Sequence, residues 1–286
     1  MVKKSYISWK RDNVNWHGAA LAYYTIFSLP PLLVIVIAIA GFVFGEDAAR
    51  GRIVQEVQGL VGVQGAKAVQ YMVLKASQPK AGTIATIIGI VLLALGATGA
   101  LGQMQSSLNM IWNVKRETGG SFKEKVFYIL RKKILSFALV VGMGFLLLVS
   151  LVVSALITAF SDELDRLFPG PFLVSYVVRA VDLVVSFGVV TVLFAMIFKV
   201  LPDAEVAWGD VWIGAAVTSA LFTAGKHLIG LYLGSGAAVS VYGAAGSIAL
   251  LLIWIYYSSQ ILFFGAEFTR IYANTCGSKL GSGSEA

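Results

Sequence analysis

The sequence predicts an all-α, polytopic membrane protein with six transmembrane helices and short amphipathic interfacial helices. Three observations carry that reading. Hydrophobic residues make up 58% of the 286, against about 45–50% in soluble globular chains. Charged residues make up 13%, roughly half of the ~25% that is usual in water. Several long stretches carry no charge at all, and a span needs only about 20 mostly apolar residues. Too few charged groups remain to cover a water-facing surface. This excludes soluble enzymes, disordered chains and nucleic-acid-binding domains with a charged exterior.

Charge-free windows place the elements, because a charge at mid-membrane costs about 2.5–3.5 kcal/mol. Residues 13–45 hold no charge, and the first span is read at 20–44. Ala38-Ile39-Ala40 has the small-x-small form of a signal-peptide cleavage site. The apolar run and polar leader before it are too long for a signal peptide, so an uncleaved span is expected. The second span is read at 83–101 and the third at 134–160. The fourth, at 177–201, extends the clean stretch 183–198 past Asp182 and Arg179. The fifth lies at 211–233 and includes Lys226 and His227. The sixth lies at 247–267, after the break at Gly234, Ser235 and Gly236.

The domain expectation is a single six-helix transmembrane domain over residues 1–275. It carries an external amphipathic segment at 46–80 and a cytoplasmic segment at 102–133. Residues 276–286, with Gly281-Ser282-Gly283-Ser284, read as a flexible tail.

Loop charge sets the orientation. Lys3, Lys4, Lys10, Arg11, Lys115, Arg116, Lys123, Lys125, Arg131, Lys132, Lys133, Lys199, Arg270 and Lys279 fall on one side, 14 in all. Six fall on the other: Arg50, Arg52, Lys67, Lys75, Lys80 and Arg166. Cytoplasmic loops are the Lys/Arg-rich ones, so both termini are expected in the cytoplasm. The same rule accounts for the net charge of +7 without nucleic acid. Cys276 is the one cysteine, which excludes an internal disulfide.

In the first connection, Ile53, Val54, Val57, Leu60 and Val61 repeat with helical spacing. Val69, Met72, Val73 and Ala76 do so again after a glycine-rich break at 59–65. Two short amphipathic helices are predicted, forming a packed external cap. After the second span, Leu101, Met104, Leu108, Ile111 and Trp112 form an apolar stripe, with Gln105, Asn109 and Asn113 on another face. That polar face is the wet side of an interfacial helix, or it lines the cytoplasmic mouth of a cavity. Gly82, Gly89 and Gly96 leave one face of the second span bare for close helix packing.

The candidate chemistry lies inside the spans. Pro30-Pro31 interrupts the first window, and proline removes an amide donor and disturbs the preceding turn. The expectation is a short helix meeting the span at an angle, or a broken helix lining a site. Tyr23, Tyr24 and Ser28 supply hydroxyls for the freed carbonyls. Intramembrane charges are functional candidates. Arg179 and Asp182, at i and i+3, are a candidate ion pair near the outer end of the fourth span. Lys226 has no acid in its own helix, which raises the expectation that it faces a hydrated cavity beside His227. Glu267 and Arg270 read as an anchoring pair, with a sensing role for Glu267 as the alternative.

An enzyme is not expected. Neither HExxH, a Walker loop, a nucleophile elbow nor a metal-spaced cluster occurs. Asp162, Glu163 and Asp165 fall on the external connection, away from intracellular RNA. No cofactor, metal or nucleic-acid partner is expected.

The same motifs carry a family resemblance. Ala20 through Pro31 (ALAYYTIFSLPP) resembles the opening motif of the YihY/BrkB family of bacterial inner-membrane proteins. Leu108-Asn109-Met110-Ile111-Trp112 is similar to its segment after the second span, and Leu201-Pro202-Asp203 with Gly214-Ala215 to its fourth-to-fifth junction. The end of the chain matches best, through Tyr242-Gly243-Ala244-Ala245-Gly246-Ser247, Trp254 to Leu262 and Gly265-Ala266-Glu267-Phe268. The resemblance spans nearly the whole chain. It implies six helices with both termini inside, and it places Tyr23, Tyr24, Ser28, Asn109, Tyr257, Gln260 and Glu267 within the shared motifs. The family has carried a ribonuclease label that the residues here do not support, and some relatives are linked to export of envelope lipids or other solutes. The expected function is a transporter or flippase-like protein working through a polar cavity. The rival is a non-transporting scaffold for envelope assembly. Expected partners are membrane lipids, a lipid or small-solute substrate and, in an oligomer, further copies of the chain.

Overall fold

The computed structural model describes residues 1–77, 99–114, 142, 173–234 and 246–278. Every regular element among them is a helix. These are α1 (Val2–Arg11), α2 (Val14–Phe44), α3 (Glu46–Ser77), α4 (residues 99–111), α5 (Leu173–Val200), α6 (Trp208–Gly234) and α7 (Gly246–Thr275). Most of the expected second span, its glycines Gly82, Gly89 and Gly96, the third span apart from Gly142, and residues 115–133 and 279–286 lie outside the described residues.

The helix α2 corrects one expectation. Pro30 and Pro31 do not break it, since every residue from 14 to 44 is helical. The interruption falls earlier, at Asn13, whose φ of 49° separates α1 from α2. Asparagine tolerates this left-handed conformation better than most side chains. Ser28 Oγ donates to the Thr25 carbonyl at 3.1 Å, one residue before the carbonyls that the two prolines free. The charge-free window 13–45 thus marks one helix, which begins six residues before the expected span at 20–44.

The run from Glu46 to Ser77 is two helices joined at Gly62, inside the predicted glycine-rich break. Gly62 has φ 75° and ψ 175°, a region essentially confined to glycine. This helix pair packs extensively on α2.

The chain divides into two compact units. One comprises Met1–Val114 and Leu221–Ile271. Its apolar core is Ile37 of α2, Val69 and Val73 of α3, Ile229 of α6, and Leu250, Leu251 and Trp254 of α7. Ile53, Val57 and Met72 pack against it, so both arms of α3 contribute their predicted apolar stripes. The other unit comprises Lys115–Ala220 and Tyr272–Ala286. There Lys199 Nζ donates to the Val206 carbonyl and lies 5.6 Å from the Trp208 ring centre. Asp210 in the first turn of α6 accepts from Ser278 Oγ at 2.6 Å and from its backbone N–H at 3.2 Å.

Among the described residues, two helices are long and apolar enough to cross a membrane, over Leu183–Val200 and Gly246–Thr275. They coincide with the expected fourth and sixth spans. On α5, Leu183 and Val184 are exposed, as a lipid-facing surface requires.

Candidate functional site

Among the described residues, the densest polar arrangement sits where α1, α4 and the C-terminal turns of α7 meet. Arg270 is at its centre and is buried. Its guanidinium donates to the Ile111 carbonyl, to Ser8 Oγ, to Glu267 Oε2 at 2.7 Å and to Asp12 Oδ2 at 3.2 Å. Arginine suits this position because its planar fork addresses several acceptors in fixed directions. Glu267 and Arg270 stand at i and i+3 on one helix, so their pairing follows from the sequence. Ser8 and Asp12 come from 262 and 258 residues away.

The geometry of α1 brings these two side chains inward. Ser5, Ser8 and Asp12 fall at i, i+3 and i+7, one stripe of a helix. Ser8 Oγ also accepts from Arg11 at 3.1 Å, so two guanidinium groups share its lone pairs. Burial pushes the Asp12 carboxyl upward, but hydrogen bonds with Arg11 and Glu267 and the charge of Arg270 outweigh this and hold it below the usual carboxylate range.

A second link fastens the start of α2 to α4. His17 Nδ1 lies 3.1 Å from Ser107 Oγ. Ser107 is fully buried, donates its own hydrogen to the Gln103 carbonyl at 2.8 Å, and accepts from Gln103 Nε2 at 3.3 Å. Its remaining capacity is a lone pair, which assigns the proton of His17 to Nδ1. Burial lowers the pKa of His17 from its ordinary value.

Three of the predicted side chains and their neighbours rest on glycines. A Cβ on Gly18 would stand 2.1 Å from Gln260 Nε2, and one on Gly225 would stand 2.1 Å from the Tyr257 hydroxyl. A Cβ on Gly99 would meet the Tyr24 ring at 2.9 Å. Gln260, Tyr257 and Tyr24 can approach the neighbouring helices this closely only because those positions lack side chains. Among the described residues, both amide atoms of Gln260 are buried without a hydrogen-bond partner, as is Glu267 Oε1.

The other predicted residues are dispersed. Tyr23 is 59% exposed and makes edge contacts with Tyr24 and Phe27. Gln105 and Asn109 are half-buried on α4. Lys226 is half-buried without an ion-pair partner among the described residues, while His227 is exposed. Arg179 and Asp182 stand on α5 with side chains outside the described set. Among the described residues, no three His, Cys, Asp or Glu side chains gather as a metal site would require.

Sequence reasoning missed Ser8, Asp12, His17 and Ser107. The signal for the first two was the serine–aspartate stripe of a helix whose opposite side is basic and apolar. His17 and Ser107 carried no local signal.

The described helices, two of them long and apolar enough to cross a membrane, fit the class of helical membrane proteins. The chain belongs to the virulence factor BrkB family, whose model matches residues 6–286. It is 27% identical over 268 residues to a UPF0761 membrane protein of Alteromonas mediterranea, covering 91% of this chain and 83% of that one. It is 24% identical to one from Acinetobacter baylyi, covering 90% of this chain and 58% of the relative. For one from Pseudomonas aeruginosa the figures are 28%, 87% and 57%. The chain therefore spans little more than half the length of the last two relatives. No solved structure matches the chain.

Proposed function

We propose that this protein is a six-span protein of the bacterial inner membrane, with both termini cytoplasmic, that moves a lipid or a small solute along a polar path beside α7. The orientation rests on the 14-to-six distribution of Lys and Arg. One observation supports the path. Gln260 and Glu267 stand at i and i+7, on one face of a membrane-length helix, and both keep buried polar atoms without partners among the described residues. In hydrocarbon such atoms are costly, so they call for water or a passing hydrophilic group. A polar headgroup or solute supplies the missing donors and acceptors in transit. This reading involves no catalytic step, no metal and no cofactor.

The second reading, a scaffold for envelope assembly, draws on the close seating of Tyr24, Gln260 and Tyr257 against glycines. Such packing is that of a static bundle.

Reconstitution in liposomes separates the two. A transporter gives phospholipid scrambling or solute flux above protein-free vesicles, and Gln260→Leu reduces it at least tenfold without loss of folded protein. Wild-type protein that is folded and inert toward phospholipids and small solutes alike contradicts transport and leaves the scaffold.

A further inference from the structure

The helix α1 is built inside out for a water-facing helix. Its polar stripe of Ser5 and Ser8 is buried. Its outward side carries Val2, Tyr6 and Ile7, exposed by 66, 55 and 56%. Lys3 and Lys10 lie between these apolar residues, and Lys4 and Arg11 lie at the margins. A soluble surface helix turns its apolar stripe inward instead.

The charges on this side are almost uncompensated. Lys3, Lys4 and Lys10 are exposed and have no ion pair among the described residues. Arg11 is engaged with Asp12 at 2.9 Å, and Asp12 itself turns toward Arg270. No acidic residue precedes Asp12 in the chain. Three residues beyond the Asn13 break, Trp16 is 77% exposed, just ahead of the long apolar run. Tryptophan and tyrosine favour the depth of lipid headgroups.

We propose that the outward face of α1 is a docking surface for anionic phospholipid headgroups. The lysines meet the phosphates, while Tyr6, Ile7 and Val2 enter the boundary with the acyl chains. Lysine stems are long enough to send the ammonium groups up to the headgroups while their carbons stay in apolar surroundings. A soluble polyanion such as RNA or an acidic protein would satisfy the lysines and leave the three apolar side chains in water. The mixed composition of the face therefore selects a lipid surface. Arg270 fixes the helix in this attitude by holding Ser8 and Asp12 from behind.

The test uses the full chain in nanodiscs, with Ile7→Cys labelled by a fluorophore in a Cys276→Ser background. Nitroxide-bearing phosphatidylglycerol and nitroxide-bearing phosphatidylcholine are compared as quenchers at equal mole fraction. A juxtamembrane cation contributes about a fivefold preference for an anionic surface. Phosphatidylglycerol is therefore expected to quench about fivefold more strongly or better. The ratio falls toward one in the triple variant Lys3→Gln, Lys4→Gln, Lys10→Gln, and also in the unmutated face at about 1 M salt, where charge is screened within about 3 Å. Equal quenching by both lipids, or a ratio unchanged in the triple variant, overturns the proposal. So does quenching by aqueous iodide with none by either lipid, which would put the face in water and open it to a soluble partner.

Discussion

The amide of Gln260 rests on Gly18, with Nε2 2.1 Å and Cδ 3.1 Å from the point where a Cβ would stand. Tyr257 sits on Gly225 in the same manner, one helical turn away along α7. The two contacts differ in stiffness, which makes them separable. A glutamine amide ends a flexible chain, whereas a tyrosine ring turns as a rigid plate.

Gly225→Ala therefore costs more than Gly18→Ala. The new methyl at 225 meets the Tyr257 oxygen at 2.1 Å, a ring carbon at 2.9 Å and Ile261 at 3.0 Å. An overpacked site of this kind costs about 1–3 kcal/mol. At Gly18 the displaced amide is offset by the ~1 kcal/mol that alanine gains over glycine in a helix, so stability stays within about 1 kcal/mol of the parent. Thermal unfolding in nanodiscs reads both. Tyr257→Phe recovers part of the Gly225→Ala loss.

Removing Arg270 leaves two carboxylates without their shared cation. Arg270→Met is expected to destabilise by about 3–5 kcal/mol, as breaking a buried ion pair does. Arg270→Lys is intermediate, because an ammonium group cannot address the Ile111 carbonyl, Ser8, Glu267 and Asp12 together. Arg270→Met combined with Glu267→Met recovers more than half of the single-variant loss in denaturant titrations. An additive double variant contradicts the pairing.

Gly62→Ala is destabilising although no atom of the described residues lies within 4 Å of the added methyl. The cost is conformational, about 1–3 kcal/mol for a non-glycine residue in this backbone region. Gly51→Ala, also in open space but without a positive φ, serves as the control and is neutral or stabilising. Equal effects at the two positions contradict the break at Gly62.

His17 gives the protein an acid-sensitive fastening. Burial favours the neutral imidazole, so its folded-state pKa lies below the ordinary value near 6.5. Its contribution to stability is complete above that ordinary value and is lost as pH falls through the lowered folded pKa. The difference in unfolding midpoint between wild type and His17→Asn is expected to shrink from pH 7.5 to pH 5. A constant difference contradicts the assignment.

Much of this fold was legible in the sequence because its signals are local. The charge-free run 13–45 marks α2, the glycine-rich stretch brackets the break at Gly62, and the i, i+3 spacing gives the Glu267–Arg270 pair. Pro30-Pro31 misled. A proline deletes one donor and does not by itself end a helix that apolar surroundings favour. Asn13, with no proline beside it, makes the break instead. The contacts of Arg270 with Ser8 and Asp12, and of His17 with Ser107, join segments far apart in the chain. No spacing rule reaches across such distances. The seats on Gly18 and Gly225 were hidden for the same reason, since glycine in a span reads as packing without naming its partner.

Thiol accessibility at position 260 addresses the polar path most directly. Gln260→Cys in a Cys276→Ser background would be exposed to a charged, membrane-impermeant thiol reagent in reconstituted vesicles. A hydrated path along α7 predicts modification at that position, slowed by a transported lipid or solute. A cysteine that stays unmodified in folded protein, while a denatured control reacts fully, would contradict it.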